Sequence, residues 1–64
     1  MIDDEEDVTI ADVSVIYESD AAFLCEIYGE NFWIPKSQIS DIPEVGEVGF
    51  LVITKWIADQ KGLD

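Results

Sequence analysis

Ala22-Phe23-Leu24-Cys25-Glu26-Ile27-Tyr28, then Gly29-Glu30-Asn31, then Phe32-Trp33-Ile34-Pro35 is the stretch that decides the fold. Two aromatic-rich runs joined by a short loop containing glycine spell an antiparallel hairpin. Strand side chains alternate, so Phe23, Cys25 and Ile27 share one face of the first run and Leu24, Glu26 and Tyr28 the other. Pro35 ends the second run, because it has no N–H to give to a ladder.

Upstream of the hairpin, Val8 and Ile10 fall in one phase and Val13, Val15 and Tyr17 in the opposite one. The parity changes near Ala11-Asp12, which predicts a β-bulge or a bend between two short strands. Glu18-Ser19-Asp20 is a turn cluster. Downstream, residues 35–43 read as an irregular connection with one 3₁₀ turn, pinned to the core by Ile39 and Ile42. Glu44-Val45-Gly46-Glu47 turns the chain into Val48–Ile53, a strand apolar on both faces and therefore expected to be central or covered. The segment Thr54 to Leu63 predicts a short helix over residues 55–62, with Thr54 as N-cap, Gly62 as left-handed C-cap and Leu63 as the apolar contact after it. Trp56, Ile57 and Gln60 fall on one side, and Trp56 and Ile57 are expected to dock on the sheet. Trp33, Trp56, Phe23 and Phe50 are assigned to the core.

The expected fold is mainly β with a short C-terminal α-helix. Its four or five antiparallel strands form a small bent sheet or close toward an SH3-like barrel. The alternative is a flat three-stranded sheet backed by the helix. The organisation is an acidic flexible tail at residues 1–7, then a single small domain over residues 8–64.

The 64 residues include 15 Asp or Glu against three Lys and no His, a formal charge of -12, yet 48% of them are hydrophobic. Chains this acidic are usually too polar to fold. Residues 3–7 are an unbroken acidic run, but without them ten acids still face three lysines, so the charge belongs to the body as well. Cys25 is the only cysteine, which rules out an internal disulfide and suits a small buried hydrophobe. No run approaches the apolar length of a membrane span.

Catalytic and metal chemistry finds no foothold. A hydrolytic triad needs a histidine or an equivalent base, and a zinc site needs several Cys and His. No glycine-rich loop has phosphate-binding spacing. The acidic run lacks the ligand spacing and turn glycine of an EF-hand. Neither an enzyme nor a cofactor is expected. Direct nucleic-acid binding needs cations that three lysines cannot supply. Trp33, Phe32, Tyr28 and Lys36 as a base-stacking platform is weaker than their reading as core and hairpin packing.

Phe32-Trp33-Ile34-Pro35-Lys36-Ser37-Gln38-Ile39 and Ile53-Thr54-Lys55-Trp56-Ile57-Ala58-Asp59-Gln60-Lys61-Gly62-Leu63 resemble a group of small phage and prophage proteins. That group carries W-I-P-K-S-Q-I and W-I-A-x-x-K-G-L blocks. The resemblance covers roughly residues 8–63 and implies a phage setting, hence action in the host cytoplasm, more than a mechanism. In size and charge the chain is also similar to anti-CRISPR and anti-restriction inhibitors, many of which resemble DNA in charge.

Three readings of the acids remain. They are a solubilising coat, an imitation of nucleic acid that occupies a basic recognition surface, or a coat on an adaptor with an exposed apolar stripe at Ile16, Leu24 and Tyr28. For the mimic, the partner is a basic nucleic-acid-binding host protein, with neither nucleic acid nor membrane bound directly. Its contact residues would be Asp12, Glu18, Glu26, Glu30, Glu44 and Glu47.

Overall fold

The two phases read between Val8 and Tyr17 belong to one long strand. In the computed structural model, which describes residues 6–63, β1 runs over Asp7–Glu18. β2 (Ala22–Ile27) and β3 (Glu30–Pro35) form the hairpin. A 3₁₀ turn over Lys36–Gln38 leads into β4 (Ile39–Asp41), followed by β5 (Val48–Thr54) and helix α1 (Lys55–Lys61). All strand pairings are antiparallel, and the order across the sheet is β3-β2-β1-β5-β4. Among the described residues, no helix is long and apolar enough to cross a membrane.

β1 carries two bulges. On its β5 side the partners jump from Ile10↔Leu51 to Val13↔Gly49, so Ala11 and Asp12 together face Phe50. Asp12 takes φ 61°, the left-handed region that asparagine and aspartate tolerate best after glycine. This is the bulge that the parity change predicts, and it turns both Ile10 and Val13 into the core. On the β2 side the partners jump from Val15↔Cys25 to Tyr17↔Leu24. Ile16 is the extra residue, and Tyr17 leaves the phase of Val13 and Val15 to join the opposite face.

The sheet curls without closing into a barrel. β3 and β4 lie at opposite edges, which a flat five-stranded sheet would hold about 19 Å apart. The three residues between Pro35 and Ile39 span at most about 14 Å, so the edges bend toward each other at that end. No β3–β4 ladder forms among the described residues.

The core fills the concave side. Val13, Val15, Cys25, Ile27, Ile34, Leu51 and Ile53 are fully buried there, and Ile57, Ala58 and Leu63 cover them from the helix. Phe23, Ile39 and Ile42 pack partly against this cluster, as expected. Three core assignments are corrected. Trp33 is 46% exposed, Trp56 53% and Phe50 65%. Trp33 pairs with Leu24 and not with Cys25. Phe50 shares a phase with Val48, and both point away from the core, so β5 is central but uncovered on one face. In α1 the buried pair is Ile57 and Ala58, while Trp56 and Gln60 face outward.

The helix ends follow the sequence. The Ile57 N–H donates to Thr54 Oγ1 at 3.2 Å. The N–H groups of Gly62 and Leu63 donate back to Asp59 and Ala58, with Gly62 at φ 71°, so the last carbonyls find partners. Thr54 Oγ1 also donates to Gln38 Oε1 at 2.7 Å, tying the helix start to the 3₁₀ turn. The expected acidic tail falls largely on residues 1–5, outside the described residues. Its last two residues are tied to the fold: Asp7 opens β1 and pairs with Thr54, and the Glu6 carbonyl accepts from the Lys55 N–H at 3.0 Å. Replacing Thr54 by alanine removes the N-cap and the Gln38 contact together. The expected loss is about 1–2 kcal/mol, read as a lower midpoint in urea unfolding with an unchanged slope. An unchanged midpoint would remove the cap from the account.

Candidate functional site

Ile27↔Glu30 closes the hairpin, so the turn is the two residues Tyr28-Gly29 and not the Gly29-Glu30-Asn31 loop that the glycine suggests. Tyr28 (φ 54°) and Gly29 (φ 81°) both lie in the left-handed region, as a type I′ turn requires. A tyrosine held there costs on the order of 1 kcal/mol. Tyr28 is 75% exposed, so burial does not offset that cost.

The turn fixes which side chains meet on the outer face of the sheet. Tyr17, Leu24 and Trp33 are register partners across three strands. The Tyr17 and Trp33 rings meet edge to face over Leu24, with centroids 6.2 Å apart. The next row holds Asn31, Glu26, Ser14 and Val48. Beyond it, Asp12 at the bulge and Tyr28 at the hairpin tip line one open groove of about 440 Å³ with Glu26, Ser14 and Val48. The only two non-glycine residues with positive φ among the described residues, Asp12 and Tyr28, therefore stand on the same groove.

The six acids do not form one patch. Asp12 and Glu26 share the outer groove. Glu18 pairs with Phe23, which places it on the core side of the sheet. There its Oε2 meets Lys36 Nζ at 2.6 Å, and the ammonium lies 5.2 Å from the Phe23 ring centroid. Glu18 and Glu44 line a second groove with Phe23, Ile42, Pro43 and Val45. Glu30 shares the core-side phase of Ile27, so it faces away from Glu26 although both flank the hairpin. Glu47 is held by its backbone, its carbonyl accepting from the Val15 N–H at 3.2 Å. The base-stacking set is likewise divided, since Trp33 and Tyr28 are outside while Phe32 packs on the core and Lys36 covers Phe23.

All eleven acids among the described residues are exposed, and no charged or polar residue is buried. Of the six, only Glu18 has a side-chain partner; Asp12, Glu26, Glu30, Glu44 and Glu47 make no side-chain hydrogen bond or ion pair among the described residues. Cys25 lies in the core, where desolvation pushes its thiol up to about 11, so it stays protonated and unreactive at neutral pH.

Sequence reasoning missed Tyr17, Trp33 and Phe50 as surface residues. A signal existed for Trp33. Once the turn is Tyr28-Gly29, Leu24 and Trp33 must face each other, and Leu24 was already placed opposite Cys25. The segments 32–39 and 53–63 meet in the fold through the Ile39↔Ile53 pair and the Thr54–Gln38 hydrogen bond. No protein family, curated protein or solved structure matches the chain.

Tyr28 is the wrong residue for its turn, where asparagine is favoured. Tyr28→Asn is expected to raise the unfolding free energy by about 0.5–1 kcal/mol. A loss of stability in denaturant unfolding would show that the exposed ring contributes to the fold.

Proposed function

We propose that the protein is a non-catalytic inhibitor that occupies the basic nucleic-acid-recognition surface of a host defence complex, in the manner of anti-CRISPR proteins. The supporting observation is the state of the acids: every described carboxylate is exposed, and five of the six candidates have no side-chain partner among the described residues. Folding gains nothing from these charges. With a formal charge of -12 their mutual repulsion opposes compaction. A basic cleft relieves that repulsion and releases the counterions around both surfaces, as DNA binding does.

A duplex carries one charge per about 1.7 Å of axis, and acids split over two faces cannot match that along a length. They suit a short patch, such as the few base pairs that a recognition subunit reads. The resemblance to phage proteins supports the setting. The alternative is an adaptor whose charge serves solubility; the exposed side chains of Tyr17, Trp33, Val48 and Phe50 favour it. The two readings separate by which side chains matter.

The test is plaque formation by a targeted phage on a bacterium with an active DNA-targeting CRISPR system, with and without the protein. The chain is expected to restore plaques. The combined change of Glu26, Glu30, Glu44 and Glu47 to Gln should cut that effect by about tenfold or more, because it removes four steering charges. Full protection by the charge variant would sink the mimic reading, and so would a wild-type chain inert against every nucleic-acid-targeting system tried.

A further inference from the structure

We infer that the outer face of the sheet is the surface that grips the basic partner, and that it does so by taking arginine side chains. This rests on the inhibitor reading above and names the chemistry of its contact. The Tyr17–Leu24–Trp33 row gives an aromatic and aliphatic floor across three strands, its two rings edge to face at 88°. Glu26 follows Leu24 on the same face of β2, about 7 Å along the strand. Asp12 and Tyr28 close the far end around the groove.

Apolar floor and carboxylate at this spacing favour one kind of cation. A guanidinium is planar and weakly hydrated; its face stacks on an aromatic ring while its edge gives two parallel N–H donors to a carboxylate. An ammonium has no flat face, holds its water more tightly and offers no fork. Charge settles the occupant further. The outer face carries acids and no lysine, since Lys36 stands over Phe23 on the core side and Lys55 and Lys61 belong to α1. A second copy of a chain at -12 would bring like charge against like. Exposed aromatic groups beside unpaired carboxylates, in a chain of this charge, match a basic partner whose arginines project from its surface.

The experiment titrates the ¹⁵N-labelled full chain with octa-arginine and, separately, octa-lysine, at about 50 mM and about 300 mM NaCl. Amide shifts are expected to centre on Asp12, Ser14, Leu24, Glu26, Asn31 and Trp33. Octa-arginine should bind at least about fivefold tighter than octa-lysine, with both weakened by salt. Asp12→Asn with Glu26→Gln, at exposed positions that leave the core intact, should lower the octa-arginine affinity by about fivefold or more. Glu18→Gln with Glu44→Gln should change it by less than about twofold. Equal affinity for the two peptides, or shifts centred on Glu18, Glu44 and Glu47, would overturn the arginine face and leave capture by charge standing. Concentration-dependent dimerisation through Trp33 and Tyr17 would overturn it in favour of a second copy. Binding of neither peptide at low salt would overturn this inference and the inhibitor reading together.

Discussion

β1 holds one residue too many at two places, and those two bulges decide which side chains become core. At Ala11-Asp12 the extra residue lets Ile10 and Val13, three positions apart, both point inward. At Ile16 the second extra residue sends Tyr17 outward and Glu18 to the core side, after Val15 has pointed in. A regular strand would put Tyr17 in the core and leave either Ile10 or Val13 in water. Bulges also increase local twist, and the added twist suits a sheet whose opposite edges are joined by only three residues.

A one-sided core follows from that strand. The concave side takes the aliphatic residues, and α1 covers it with Ile57, Ala58 and Leu63. Among the described residues no ionisable side chain except the Cys25 thiol is buried, so folding them asks for no buried charge. The convex side keeps Tyr17, Trp33, Val48 and Phe50 in contact with water. Here the acid and apolar halves of the composition meet. Exposed acids and exposed aromatic side chains therefore share the surface of the folded chain.

Much of the fold was legible because its signals are local. The hairpin, the bulge at Ala11-Asp12, the Thr54 cap and the Gly62 stop each rest on a few neighbouring residues with a fixed conformational preference. The bulge at Ile16 was not legible, because Val15, Ile16 and Tyr17 are all apolar and nothing marks the extra one. Phe50 was misplaced for a similar reason: Val48–Ile53 is apolar on both faces, so its pattern is silent about which face is buried. Trp33 was misplaced because Tyr28-Gly29 lacks the asparagine or aspartate that usually marks a two-residue turn. Spacing misled for the acids as well. Glu26 and Glu30 are four residues apart, but the turn between them puts them on opposite faces. Glu18 and Glu44, far apart in sequence, come to line one groove.

The division of the sheet into a face that folds and a face left in water is tested most directly at two adjacent residues of β5. Phe50 and Leu51 are both large and apolar; one is 65% exposed and the other fully buried. The measurement is the unfolding free energy of Phe50→Ala and of Leu51→Ala in denaturant. Leu51→Ala is expected to lose about 2–5 kcal/mol, as truncation in a packed core does. Phe50→Ala should lose less than about 1 kcal/mol, because most of its ring is already in water. A loss at Phe50 equal to that at Leu51 would mean that both faces are core, and the account would fail.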